Sequence, residues 1–135
     1  MNKLKNKITV IAIAVLMFVS LSNAVLARNI ANYNFNLPRF LGSSQTNALK
    51  KTGLSKAVNN NTYIGGGYKM YSRVYSNKSG NILTDEATQN SGDRVLLKYR
   101  NPEDARGTYV YTRMWTAYDV IVKVSAYGSW SPDTE

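Results

Sequence analysis

Near the end of the chain, YDVIVKVSAYGSW (Tyr118 to Trp130) follows TYVYTRMW (Thr108 to Trp115) across the pair Thr116-Ala117. Val120, Val122, Val124 and Ala126 alternate with Ile121, Lys123, Ser125 and Tyr127. A period of two gives a strand one buried face, whereas it gives a helix no apolar stripe. Trp130 keeps the parity of the apolar row, so it is expected in the core. On this reading Gly128 opens space beside it, and Asp133 and Glu135 stay in solvent beyond Ser131-Pro132. With two residues between the runs, the expectation is an antiparallel terminal β-hairpin, although Thr-Ala is not the Asn-Gly pair that such a turn favours.

Outward from this pair, three further runs read as strands. Asn32 to Leu37 alternates polar and apolar residues and stops at Pro38, the pattern of an edge strand. Tyr68 to Tyr75 carries Tyr68, Met70, Ser72 and Val74 on one side and Lys69, Tyr71, Arg73 and Tyr75 on the other. Arg94 to Tyr99 is the third. Between them the pattern loosens. Phe40 to Val58 reads as loop or strand rather than as a cationic helix setting Leu41, Leu49 and Leu54 against Lys50, Lys51 and Lys56, because glycines and a proline interrupt it. Asn59 to Asn61 and Gly65 to Gly67 bracket Thr62-Tyr63-Ile64 as hairpin material; no Lys-Ser/Thr pair follows to make a phosphate loop. Asn77 to Gly80 is a turn, Asn81 to Asp93 a long surface loop, and Asn101-Pro102-Glu103-Asp104 opens another. These runs predict an all-β single domain, an antiparallel β-sandwich of six to eight strands or alternatively a small β-barrel, with little or no helix.

The first 27 residues have a different character. Lys3, Lys5 and Lys7 precede an apolar run from Ile8 to Val19, and small residues stand at Ala24 and Ala27. This is the layout of a cleaved signal peptide, so residues 1–27 are expected to be removed and residues 28–135 to form the secreted domain. Cleavage after Ala27 is preferred over Ala24. The chain has no cysteine, so the exported domain must hold together without disulfides, a usage that fits a Gram-positive bacterium.

Charge is unevenly distributed along the mature chain. Arg28 to Thr84 holds eight basic and no acidic residues, whereas Asp85 to Glu135 holds six basic and eight acidic ones. The basic half, with Lys50, Lys51 and Lys56, favours a polyanionic partner. With neither histidine nor cysteine, most nucleophilic, general-base and zinc chemistry is excluded. The carboxylates Asp85, Glu86, Glu103, Asp104 and Asp119 stand in polar loops where nothing apolar would raise a pKa, so no catalytic residue, metal or cofactor is assigned. Aromatic residues carry more information, since the chain has ten tyrosines and two tryptophans. Tyr109, Tyr111, Arg113 and Trp115 repeat the cation and aromatic alternation of Lys69, Tyr71, Arg73 and Tyr75. Such a face can stack on sugar rings while its cations meet anions, or it can be ordinary cross-strand packing.

The signal, the opening Asn32-Tyr33-x-Phe35, the Tyr- and Thr-rich middle and the closing Val124 to Asp133 together resemble a group of small secreted proteins of Gram-positive bacteria. More distantly the chain is similar to the lactococcin-972-like bacteriocins, a resemblance that implies an exported, basic, cysteine-free β-sandwich acting at the cell envelope. The His-containing aromatic clusters of that family are absent, and no binding residue is carried over. The expected function is that of a secreted non-enzymatic interaction protein, a bacteriocin-like antimicrobial at the bacterial envelope. The alternative is a carbohydrate-binding or inhibitor-type module using the Tyr/Trp face. The expected partner is an anionic cell-envelope component or glycan, in preference to nucleic acid.

Overall fold

A computed structural model describes residues 28–134, and the predicted signal peptide lies outside the described residues. Nine strands are found among them: β1 (Ala31–Leu37), β2 (Ser43–Gln45), β3 (Leu49–Lys50), β4 (Ala57–Ile64), β5 (Met70–Ser76), β6 (Ala87–Gln89), β7 (Arg94–Leu97), β8 (Tyr109–Trp115) and β9 (Val124–Ser131). The only α-helical turn in the described part is α1 (Pro102–Ala105), and no described helix is long and apolar enough to cross a membrane. One sheet runs β1-β9-β4-β7; the other runs β2-β8-β5-β6, with β3 also on β8, and every strand pairing is antiparallel. The two sheets pack face to face without closing, so the domain is a β-sandwich and not a barrel. Nine is one more than the expected six to eight, and the strands that no sequence run marked are short: β2 and β3 lie in the loosely patterned Phe40 to Val58, and β6 lies in what reads as a surface loop.

The expected terminal hairpin does not form. β8 lies in the second sheet and β9 in the first, with Thr116 to Lys123 crossing between them. Thr-Ala has no preference for the positive φ angles of a two-residue hairpin turn, and a crossing between stacked sheets must span about 10 Å. The valine alternation therefore breaks: Val120 is buried as the anchor of the crossing, its N–H bonded to Ala117 O (3.1 Å), whereas Ile121 and Val122 are exposed. The Gly65 to Gly67 turn is likewise a crossing, from β4 to β5, and not a hairpin.

β1 is an edge strand, as Pro38 predicts, and it buries Tyr33 and Leu37 against the core. From β9, Val124, Ala126 and Trp130 join them; from the other sheet come Met70, Val74, Val110 and Met114. Trp130 is buried, as its parity requires. Gly128 serves a different purpose from the expected one: it lies opposite Tyr33 on one side and Asn61 on the other. A Cβ there would stand 2.2 Å from Asn60 O and 2.8 Å from the Tyr33 hydroxyl, so glycine is required by the close approach of β4.

The asparagine run that reads as a loop boundary is the middle of β4. Asn59 and Asn61 point inward and are buried, and the Tyr33 hydroxyl donates to Asn59 Oδ1 (2.8 Å) while accepting from Asn61 Nδ2 (3.2 Å). Burial raises the Tyr33 phenol to about 12 against the pull of these two amide bonds. A register shift between Asn61 and Tyr63 then turns Tyr63 outward and returns Ile64 to the core.

Candidate functional site

Alternation on β5 and β8 sends Met70, Ser72 and Val74 and Val110, Thr112 and Met114 inward, all of them buried. The other set of each strand stands on the outer face of the second sheet. Register then makes these sets one ladder: Tyr71 lies opposite Trp115, Arg73 opposite Arg113, and Tyr75 opposite Tyr111. Both aromatic rungs stack, with centroids 6.3 Å apart for Tyr71–Trp115 and 5.6 Å for Tyr75–Tyr111. Arg113 lies 4.8 Å from the Tyr75 centroid and 5.9 Å from that of Tyr111, and Arg73 lies 5.8 Å from the Trp115 ring.

Six of the eight residues expected to form a binding face thus meet in three consecutive rungs. Tyr109 extends the ladder past Tyr111 as an exposed ring opposite Lys50 of β3. Lys69 does not belong to it. It precedes β5 and is exposed beside the Thr116 to Lys123 crossing, where it shares a depression of about 240 Å³ with Tyr68, Tyr71, Asp119 and Val120.

The two arginines are register partners on the middle rung, where like charges directly opposite are destabilising, and their guanidinium groups turn to different rungs, Arg73 toward Trp115 and Arg113 toward Tyr75 and Tyr111. Glu86 offsets this for Arg73 at 3.5 Å. Among the described residues, Arg113 has no carboxylate within 4.0 Å, and its charge is met only by tyrosine rings and by the Tyr111 hydroxyl, to which it donates (3.4 Å). The rung therefore retains one uncompensated cation between two aromatic pairs. At the Trp115 end a groove of about 320 Å³ opens, lined by Leu41, Tyr71, Glu86, Trp115, Ala117 and Tyr118.

The basic half does not form one surface. β1 and β4 interleave with β7 and β9, and β5 pairs with β8, so the basic and acidic halves of the sequence share both sheets. Lys50 is exposed, but its neighbour Lys51 is fully buried: it donates to Asp133 Oδ1 (2.6 Å), Ser55 O (2.7 Å) and Pro132 O (3.3 Å) and lies 4.2 Å from the Tyr99 ring centroid. Asp133, expected in solvent, is buried with it and also accepts from the Thr52 N–H (2.9 Å) and the Gly53 N–H (3.3 Å). Desolvation works to raise this carboxyl, but the hydrogen bonds and charge of Lys51 and the two backbone donors together hold it below the usual carboxylate value. Desolvation lowers the Lys51 ammonium against the pull of Asp133, and burial, with the Asp133 charge, raises the Tyr99 phenol. Lys51 is thus a structural cation. No spacing rule could show that the Asp near the C-terminus and a lysine 82 positions earlier are partners.

Lys56 is exposed on the rim of a concavity of about 520 Å³, with Lys98, Arg100, Leu54, Leu96 and Tyr99 around it. Sequence reading missed this pocket, because its residues come from separate segments with no shared period. Among the described residues no group of three or more acidic side chains could hold a metal ion. Comparison with protein-family models, curated proteins and solved structures finds no match to this chain.

Proposed function

We propose that this is an exported, non-enzymatic binding protein of the bacterial cell envelope, which holds an anionic, ring-bearing polymer along the ladder of the second sheet. The observation that carries the reading is the middle rung: Arg73 and Arg113 are register partners between two stacked aromatic pairs, with a single carboxylate at hand. Arg113, without a carboxylate partner among the described residues, can take an anionic group, and the partly exposed Tyr71 and Trp115 supply stacking that tolerates variation along a polymer, whereas Tyr75 and Tyr111 are buried. The state of the loop acids supports the non-enzymatic part. Asp85 is engaged by Arg100 at 2.8 Å, Glu103 by Arg106 at 3.3 Å and Glu86 by Arg73 at 3.5 Å, all at exposed sites.

Co-sedimentation with purified Gram-positive cell walls at low and physiological salt tests the proposal. Binding should fall steeply with salt, and R73Q/R113Q should both weaken it and flatten that dependence. Equal binding by R73Q/R113Q and the parent chain would refute the reading. A growth-inhibition assay on the same proteins tests bacteriocin-like action. A second reading, recognition of a neutral glycan, is favoured by the partly exposed Trp115 and Tyr71 lining the 320 Å³ groove. It predicts binding that is indifferent to salt and lost in W115A.

A further inference from the structure

Register places two inter-sheet crossings at the same end of the sandwich. Leu37 pairs with Val124 and Ser43 with Trp115, so the β1–β2 loop and the β8–β9 loop emerge side by side. The Phe40 N–H bonds to Val120 O at 3.1 Å and ties them together. Their summit is apolar: Phe40 is 61% exposed, Leu41 54%, Tyr118 75%, Ile121 64% and Val122 44%. Single apolar residues on a surface are ordinary, but five large ones on two joined loops form a patch.

The backbone beneath two of them breaks a local rule. Arg39 to Gly42 is a tight turn closed by the Gly42 N–H on Arg39 O (3.3 Å), and both central residues have positive φ, 57° at Phe40 and 60° at Leu41. That is the geometry of a type I′ turn, for which Asn-Gly is the unstrained choice and bulky side chains are the poorest. Phe and Leu in this turn gain no core contact, since both side chains project outward. A strained position that is kept without a packing return points to use by a partner.

The charge around the summit indicates the partner. Arg39, Lys69 and Lys123 are exposed about it, against Asp119 and, in the groove that Leu41 and Tyr118 line, Glu86, which Arg73 engages at 3.5 Å. Such a convex apolar crest inside a basic ring matches the depth profile of an anionic bilayer surface, with acyl chains below and phosphate above, and Tyr118 is the residue type that settles at that boundary.

We propose that this end of the sandwich docks on anionic lipid membranes, inserting Phe40, Leu41, Tyr118 and Ile121 into the interface while Arg39, Lys69 and Lys123 contact headgroup phosphates. Leu41 and Tyr118 also line the groove beside Trp115, whereas Phe40 and Ile121 do not, and vesicles without cell-wall polymer test the proposal separately from the ladder. The chain beginning at Arg28, which carries both sheets and their core, is sedimented with phosphatidylglycerol–phosphatidylcholine vesicles and with pure phosphatidylcholine vesicles. Binding to the anionic vesicles is expected, with each inserted large side chain contributing about tenfold and each ring cation about fivefold. F40N/L41G installs the residues the turn prefers, so it should melt no lower than the parent chain while vesicle binding falls about a hundredfold. I121S, in the other loop, gives a second reading at an unstrained position and should lose about tenfold. R39Q/K123Q should weaken binding to anionic vesicles only. Undiminished binding by F40N/L41G and I121S, or no binding by the parent chain, would overturn the proposal. So would self-association abolished by the same substitutions in a chain that ignores vesicles, which would assign the crest to a second copy.

Discussion

Replacing Asp133 by Asn should unfold this domain far more readily than a substitution two residues from a chain end normally does. Lys51 and Asp133 are both buried, and the carboxylate also receives backbone N–H groups from Thr52 and Gly53. Asn keeps the shape and can still accept from the backbone, but it presents a neutral amide to an ammonium already enclosed by Ser55 O, Pro132 O and the Tyr99 ring. Removing one partner of a buried pair costs about 3–5 kcal/mol, because the other charge is left uncompensated. At about 4–8 °C of Tm per kcal/mol for a domain of this size, D133N should melt at least about 12 °C below the parent chain. K51M/D133N removes the stranded charge as well and should recover about half of the loss or more, giving a coupling of about 2 kcal/mol in a double-mutant cycle. The pair also sets an acid limit. The folded Asp133 carboxyl lies below its unfolded value of about 3.9, so its contribution is complete above that value and is lost as pH falls through the lower folded one. Urea midpoints of the parent chain should therefore drop between about pH 5 and pH 2, and those of D133N should drop less. A D133N loss under about 1 kcal/mol, or strictly additive single variants, would refute a buried pair and mean that the C-terminal segment frays.

Three other substitutions probe the interior by the same melts. Trp130→Ala deletes the largest fully buried side chain and should cost about 3–5 kcal/mol. Gly128→Ala forces a methyl toward Asn60 O at 2.2 Å and should cost about 3 kcal/mol, with the Tyr33 environment perturbed in the NMR spectrum because its hydroxyl is the next contact. Tyr33→Phe leaves Asn59 Oδ1 without its donor and Asn61 Nδ2 with only its long bond to Tyr63 O (3.5 Å), for about 1–3 kcal/mol; a near-neutral Y33F would mean that the asparagines re-pair with each other.

What the sequence made legible depended on the range of the interaction. The ladder on β5 and β8 could be read because period-two alternation is local, and pairing two alternating strands in register brings like sets onto one face. The burial of Trp130 followed from parity alone. The terminal hairpin failed where a local signal was weak: Thr116-Ala117 carries no turn chemistry, and whether a chain reverses within a sheet or crosses to the other depends on what Val120 can bury against. Asn59 to Asn61 misled for a related reason. Asparagine usually marks turns, but here Tyr33, from a strand far earlier in the sequence, bonds one atom of each of two amides inside the sandwich. Charge counted along the chain misled most, because strand order interleaves the two halves and buries Lys51, one of the cations counted.

The sandwich is fastened at one end and open at the other. β9 runs from Val124, at the crossing end, to Ser131, and the segment after it is secured by Asp133 on Lys51 and by Tyr99, whose hydroxyl donates to Pro132 O at 3.0 Å. Arg28 adds a bond to Thr134 O at 3.0 Å, so both ends of the described chain meet at this fastening. The opposite end carries the crossings β1–β2, β4–β5 and β8–β9, whose outermost side chains contribute nothing to the core. The buried pair constrains that end, and the far end carries exposed side chains that packing does not dictate. The ladder on β8 runs between the two, from Tyr109 beside β3 to Trp115 beneath the crest, so a polymer lying along it would reach the crest loops. Stability should consequently respond to substitution at the fastened end and in the interior, and binding to substitution along β8 and at the crest, with F40N/L41G as the variant in which the two properties move in opposite directions.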